Sequence, residues 1–203
     1  MATFWDRVSG VYDFFEWTNG AAVRGMRDEV AALVSEGCHM LECAAGTGTI
    51  SLAAAPRAGR VLCTDLSQPM LDRAKAKAAR LGLDNIGFAR RDLFHLPDPD
   101  GSFGVVVAAN VLHLLPDPAP AVAELWRVTA PGGLLVLPTF LQGEARMGYH
   151  ILVNLYRILG FRPRHRFTRE SYRDFIEALG LPVREVRVIP GKMAVGMAVL
   201  EKA

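Results

Sequence analysis

The residues that could do chemistry in this chain begin with a short loop after an apolar run. Residues 40–43 are apolar apart from one acid, and they precede a small-residue turn that contains Gly46 and Gly48. A helix-like stretch follows the turn. A strand, a glycine loop and a helix N-terminus in this order let a ligand approach the backbone at the carboxyl edge of a parallel sheet. The loop is therefore the first candidate binding site.

The charge of the loop indicates which ligand it would bind. A dinucleotide fingerprint needs the spacing G-x-G-x-x-G, whereas residues 44–48 read A-A-G-T-G. Glu42 places an acid just before the loop, where it would repel a pyrophosphate and attract an ammonium or sulfonium group. The pattern therefore favours a cationic cofactor over a dinucleotide.

Acids also end the next two strand-like runs. Asp65 ends the second run, where open α/β nucleotide sites place the carboxylate that accepts hydrogen bonds from the ribose hydroxyls. Asp92 ends the third and offers an acceptor for an adenine amino group, with Leu93 as an apolar wall beside the ring. Leu66 and Met70 would supply the opposite wall. These residues predict a site for a nucleoside.

The elements that must position these residues alternate short apolar runs with helical patterns. Strand-like runs cover residues 40–43, 61–65, 86–88, 103–109 and 134–137, and helical patterns cover 67–81, 118–128, 145–159 and 168–179. Residues 183–189 and 193–200 predict two strands joined by a tight turn, and such strands are antiparallel. The alternation predicts an α/β fold with a parallel sheet.

Composition narrows the class of protein and its partners. A length of 203 residues with 51% hydrophobic residues suits one globular domain over residues 1–203. The net charge of +2 is small and interspersed, so we expect no nucleic-acid partner. Three cysteines without a C-x-x-C pair suggest neither a disulfide framework nor a metal site, and a cytoplasmic location fits them best. The longest apolar run is too short for stable membrane insertion, which needs ~20 residues.

Four ordered motifs carry a resemblance to a known family. They are residues 41–48, residues 65–71, Asp92-Leu93 with Leu96-Pro97, and Pro131-Gly132-Gly133. They resemble the motifs of class I S-adenosylmethionine-dependent methyltransferases. The chain is similar in particular to the subgroup that includes the ubiquinone and menaquinone biosynthesis methyltransferases. The resemblance covers most of the chain. It implies S-adenosylmethionine as cofactor and a Rossmann-like, doubly wound sheet of seven strands, mostly parallel with the last strand antiparallel, with helices on both faces.

The resemblance also implies further site residues. Asn110, after the fourth strand, would lie near the methionine moiety, and Tyr12 would fold over the cofactor. The family builds its acceptor pocket on an insertion that corresponds here to residues 141–167. The aromatic-rich segment 1–35 is interpreted as a lid, because methyl transfer benefits from the exclusion of water, with core packing as the alternative.

Two positions depart from the family pattern. Ala44 stands where the first loop glycine is usual, and Gly104 stands where an aspartate commonly follows the phenylalanine of the fourth strand. A small residue at position 44 still admits a close backbone approach, so we expect cofactor binding to persist. We expect a structural role for Gly104.

The predicted activity is methyl transfer to an O, N, S or C atom of a small molecule by in-line displacement. Proximity and orientation can supply ~7 to 11 kcal/mol of the barrier. A base is needed only if the acceptor must lose a proton. His113 is the first candidate and His150 and His165 follow, with packed or surface histidines as the alternative.

Three alternatives remain open to the sequence. A membrane quinone or lipid could be the acceptor, reached by peripheral membrane contact. The chain could be a non-catalytic cofactor-binding scaffold of the same fold. A nicotinamide-dependent oxidoreductase is a third class, which the loop spacing and Glu42 disfavour.

Overall fold

The computed structural model describes Asp6, residues 19–144 and residues 163–203. Its centre is a sheet of seven strands in the order β3-β2-β1-β4-β5-β7-β6. The strands are β1 (His39–Cys43), β2 (Arg60–Asp65), β3 (Ile86–Arg90), β4 (Phe103–Ala108), β5 (Thr129–Phe140), β6 (Val183–Ile189) and β7 (Val195–Glu201). Strand β7 pairs antiparallel with both β5 and β6, and every other pairing is parallel. The expected doubly wound sheet with an antiparallel last strand is confirmed.

Five described helices cover the two faces of the sheet. They are α1 (Gly20–Leu33), α2 (Thr49–Ala54), α3 (Gln68–Leu81), α4 (Ala119–Val128) and α5 (Arg169–Ala178). Apolar residues of α1 and α2 share one core cluster, whereas those of α4 and α5 share another. No helix in the described ranges is long and apolar enough to cross a membrane.

Successive side chains of the central strands lie on opposite faces of the sheet, which explains why helices cover both faces. In β4, Val105 and Val107 pack into the cluster of α1 and α2, whereas Val106 packs with α4 and α5. All three side chains are at most 2% exposed. A parallel strand buried on both faces is apolar at successive positions, which is the run that the sequence shows.

Strand β5 is longer than the sequence predicts. The expected strand covered residues 134–137, with the Pro-Gly-Gly segment as a break before it. The observed strand begins at Thr129 and passes through this segment, and its register against β4 shifts between Phe103 and Val105. A Cβ atom on Gly133 would lie 2.8 Å from the carbonyl oxygen of Gly104. The two glycines therefore form an irregularity inside the strand, since Gly133 has no space for a side chain and Gly132 has a φ of +73°, which favours glycine.

Gly104 is also explained by close packing. A Cβ atom at this position would lie 3.1 Å from Sγ of Cys38, which is tighter than ordinary van der Waals contact. The departure from the family pattern is thus a packing feature of β4 against the residue that precedes β1. The bounds of the lid at 1–35 and of the insertion at 141–167 stay predictions, because residues 1–5, 7–18 and 145–162 lie outside the described residues.

Candidate active site

The order of the strands creates a crevice at the carboxyl end of β1. Strand β1 pairs with β2 on one side and with β4 on the other, and both pairings are parallel. The strands that follow β1 in the chain, β2 and β3, lie on one side of it, and β4 lies on the other side. Open α/β sheets bind ligands at such a topological switch point. A cavity of about 250 Å³ opens there. Its lining comprises Ala44, Gly46, Asp65, Leu66, Met70, Arg91, Asp92, Leu93, Phe94, Ala109, Asn110, Val111, Leu114 and Leu115.

The loop between β1 and α2 has left-handed backbone at alternate positions. The φ angles are +52° at Ala44, +55° at Gly46 and +78° at Gly48. Glycine adopts this region without cost, whereas an L residue such as alanine pays roughly 1–2 kcal/mol. The Gly48 site also lacks space, since a Cβ atom there would lie 2.9 Å from Cβ of Ala74 in α3. Gly48 therefore brings α2 close to α3, and it is the backbone nearer β1 that lines the cavity.

Asp65 fixes the loop to the end of β2. Its Oδ2 accepts a hydrogen bond from the backbone N–H of Gly46 at 2.8 Å, and its Oδ1 accepts one from the N–H of Ser67 at 2.8 Å. Burial raises the pKa of this carboxyl, and these backbone donors oppose the rise. Each carboxylate oxygen has more than one lone pair, so both can still accept from a ligand hydroxyl. The predicted ribose acceptor is thus in the cavity wall and held in place.

Glu42 lies behind the loop and is 2% exposed. Its Oε2 accepts hydrogen bonds from both the backbone N–H and the hydroxyl of Ser51, in the first turn of α2. A carboxylate at a helix N-terminus stabilises the unpaired N–H groups of that turn. Glu42 is absent from the described cavity lining, so direct contact with a cofactor ammonium stays a prediction.

The wall expected to face adenine follows β3. Leu93 is 7% exposed and Met70 is 1% exposed, whereas Leu66 is half exposed at the rim. Asp92 is exposed, and its Oδ1 accepts a hydrogen bond at 3.0 Å from the N–H of Phe94. The structure therefore brings together the residues that the sequence assigned to the two walls.

Asn110 has a polar atom without a partner. Its φ angle is +53°, and its N–H donates to the carbonyl oxygen of Pro138 at 2.8 Å. Its Nδ2 contacts Sδ of Met26 at 3.7 Å, whereas its buried Oδ1 finds no hydrogen-bond partner among the described residues. A buried acceptor without a donor is costly, so a ligand that donates there would bind favourably.

The structure places the two described histidine candidates outside the cavity lining. His113 is 2% exposed, and its Nδ1 lies 3.3 Å from the hydroxyl of Thr139. Burial, with a smaller effect of His165, lowers the pKa of His113 to about 3. His165 stacks on Phe167 with ring centres 5.7 Å apart, and its Nε2 lies 3.2 Å from the carbonyl oxygen of Pro116. His165 instead lines a second, more open cavity of about 750 Å³ beside α5.

Other predicted positions lie outside the described residues. Tyr12 and His150 are among them, so the geometry of the lid and of the acceptor pocket is not part of the site described here. Sequence reasoning missed six residues of the lining, which are Arg91, Phe94, Ala109, Val111, Leu114 and Leu115. Arg91 and Phe94 flank the predicted Asp92-Leu93 pair, so their nearness in sequence was an available signal. The missed residues after β4 are all apolar, so they gave no sign of a role in binding.

Comparison with known proteins finds methyltransferases. Residues 41–137 match the family described as methyltransferase domain. The demethylmenaquinone methyltransferase of Thermus thermophilus is 39% identical over 124 residues, which is 60% of this chain and 56% of that protein. The chain spans 38% to 56% of the length of the first curated relatives that it matches.

Solved structures extend the likeness beyond the matched segment. A methyltransferase from Haloferax volcanii, solved with the activator Trm112, has a TM-score of 0.77 at 18% identity, covering 98% of this chain and 99% of that one. The [4+2]-cyclase SpnF has a TM-score of 0.71 at 19% identity, covering 89% and 81%. These likenesses concern the fold. The family match over residues 41–137 and the curated relatives confirm the predicted resemblance to the class I S-adenosylmethionine-dependent methyltransferases.

Proposed function

We propose that this chain binds S-adenosylmethionine at the β1–β4 crevice and transfers its methyl group to a small molecule. The observation that carries the proposal is the contact between Asp65 and the N–H of Gly46. This contact joins the carboxylate suited to a ribose to the loop suited to close backbone approach. The resemblance to the family alone would not show that the two parts of the site are assembled.

The described residues fit the chemistry of this cofactor. The unpartnered Oδ1 of Asn110 would accept from the ammonium group, and Asp65 would accept from the ribose hydroxyls. Leu93 and Met70 would enclose the adenine ring between apolar surfaces. Asp65 and Asp92 place negative charge in the lining, which favours a ligand with a net positive charge.

The chemistry makes modest demands on the protein. When bound, the cofactor supplies a methyl group on a sulfonium centre, whose leaving group is already activated. The chain would hold the cofactor through Asp65 and Asn110. The apolar lining after β4 would reduce the access of water to the reacting atoms. Orientation of the acceptor in line with the methyl group is the main contribution to the rate.

An apolar, quinone-type acceptor is the finer proposal. Val111, Leu114, Leu115 and Phe94 give the cavity an apolar side. The Thermus thermophilus relative is named for demethylmenaquinone, although this chain spans only part of its length. Such a molecule would be reached by peripheral contact with a membrane. Both the membrane contact and the cytoplasmic location stay predictions.

The role of His113 is better explained by positioning than by proton transfer. A base with a pKa of about 3 has little tendency to hold a proton taken from a phenol. The backbone carbonyl oxygen of His113 accepts from the N–H groups of Arg164 and His165, at 2.8 and 3.1 Å. The backbone at His113 would therefore hold the segment that returns from the proposed insertion, while the imidazole packs beside Thr139. His150 and His165 remain the other candidates for a base.

A transfer assay tests the proposal. The purified chain is incubated with S-adenosylmethionine and a panel of small acceptors that includes a demethylated quinol in detergent. Release of S-adenosylhomocysteine together with a methylated quinol supports both the proposed methyl transfer and the proposed quinone-type acceptor. Methylation of another acceptor only would contradict the quinone proposal. Cofactor binding without transfer to any acceptor would favour the non-catalytic scaffold.

A further inference from the structure

Arg91 is the only positively charged side chain in the described lining of the cofactor cavity. It follows β3 directly, and its backbone N–H donates to the carbonyl oxygen of Asp65 at 3.1 Å. Its side chain is only 20% exposed. A fixed cation beside the proposed ribose site would repel a sulfonium ligand unless another group neutralises it.

Asp98 is that group. Its Oδ2 forms an ion pair with Nη1 of Arg91, and the Asp98 side chain is 16% exposed. The described cavity lining includes Arg91 but not Asp98, so the carboxylate compensates the guanidinium from outside the lining. Salt screens such a partly buried pair less than a surface pair. The cavity therefore keeps an arginine side chain in its wall without the field of a free cation.

The Cys43 thiol supports this compensation. Cys43 ends β1, next to the loop, and its pKa is raised to about 12, mainly by burial. Among the smaller effects, Arg91 lowers this pKa and Asp98 raises it. The charges of Arg91 and Asp98 therefore have opposite electrostatic effects at the end of β1, beside the loop.

We propose that Asp98 neutralises Arg91 and thereby keeps this site from shifting its preference from S-adenosylmethionine toward S-adenosylhomocysteine. The substrate form carries one positive charge more than the product form, because transfer converts the sulfonium to a neutral thioether. A net charge added to the cavity wall changes the affinity for the first more than for the second. The inference rests on the proposed cofactor site, but it concerns binding and needs no acceptor.

Two single variants test it with effects of opposite sign. The dissociation constants of both ligands are measured by calorimetry at low salt for Asp98→Asn and Arg91→Gln. Asp98→Asn leaves an uncompensated cation, so the ratio of the constant for S-adenosylmethionine to that for S-adenosylhomocysteine should rise about threefold to tenfold. Arg91→Gln leaves an uncompensated anion, so the same ratio should fall. Loss of packing would weaken both ligands together and would not reverse the sign.

Two further variants serve as controls. Asp100→Asn makes the same charge change two residues away, at a side chain that is 80% exposed and paired with Arg127. Asp100→Asn and the double variant Arg91→Gln/Asp98→Asn should both keep the wild-type ratio within about twofold. Should Asp98→Asn not fold, Arg91→Gln and the double variant still carry the test.

Unchanged ratios in both single variants, or shifts in the same direction, would overturn the inference. If the wild-type chain still bound both ligands, the proposed function would remain intact. Binding of neither ligand to the wild-type chain would overturn both.

Discussion

Acid should destabilise this protein through one buried histidine, His113. Its imidazole is 2% exposed and lies against the hydroxyl of Thr139, and burial lowers its pKa from 6.5 to about 3. In the unfolded chain the same group takes up a proton near its ordinary value. The unfolded state therefore binds more protons than the folded state between these two pKa values, and stability falls as the pH drops through this window.

The expected size of the effect depends little on the folded pKa. At pH 5, His113 is protonated in the unfolded chain and still neutral in the folded protein. The difference of about 1.5 pH units below the unfolded pKa corresponds to about 2 kcal/mol lost between pH 8 and pH 5. Glu124, whose pKa is lowered to about 2 by its hydrogen bond with Arg127, loses its contribution only at lower pH. The window from pH 8 to pH 5 thus lies above the range in which Glu124 loses its contribution.

Urea unfolding followed by circular dichroism at both pH values measures the loss. His113→Asn removes the titrating ring and keeps an amide near Thr139, so its loss between pH 8 and pH 5 should be about 2 kcal/mol smaller than that of the wild type. His39→Asn removes an exposed histidine at the start of β1 and should behave as the wild type. Equal losses in the wild type and His113→Asn would refute this account of the buried imidazole.

Two predictions concern the loop between β1 and α2. Gly48→Ala places a Cβ atom 2.9 Å from that of Ala74 at a φ of +78°, so we expect a loss of roughly 2 to 4 kcal/mol in unfolding free energy by urea titration. Ala44→Val puts a branched side chain at a φ of +52° in the cavity wall, and calorimetry should show at least about tenfold weaker S-adenosylmethionine binding, whereas Ala44→Gly should change it less than about threefold. Wild-type stability of Gly48→Ala, or wild-type affinity of Ala44→Val, would contradict this view of the loop.

Local pattern predicted most of the sheet because each central strand is buried on both faces. Val105, Val106 and Val107 form an uninterrupted apolar run. Asp65 is the last residue of β2, and Asp92 is the second residue after β3. The carboxyl ends of parallel strands meet at one edge, so the order of acids along the chain already predicted their grouping.

The rest depended on contacts that sequence spacing does not report. Strand β5 continues through Pro131 because the register against β4 shifts, and that shift depends on the partner strand. The position of Arg91 beside Asp92 was a signal for the cavity wall, but its ion pair to Asp98 is a contact that spacing does not report. His113 follows β4 as predicted, but the path of the chain after it directs the ring to Thr139.

Calorimetric titration of the wild-type chain and of Asp65→Ala with S-adenosylmethionine, S-adenosylhomocysteine and NAD tests the central claim most directly. Asp84→Ala, which removes an exposed acid outside the described cavity lining, is the control. We predict that the wild type and the control bind both sulfur cofactors, that Asp65→Ala loses this binding while remaining folded, and that NAD does not bind. Wild-type binding of NAD alone, or full retention of S-adenosylmethionine affinity in folded Asp65→Ala, would contradict the site described here.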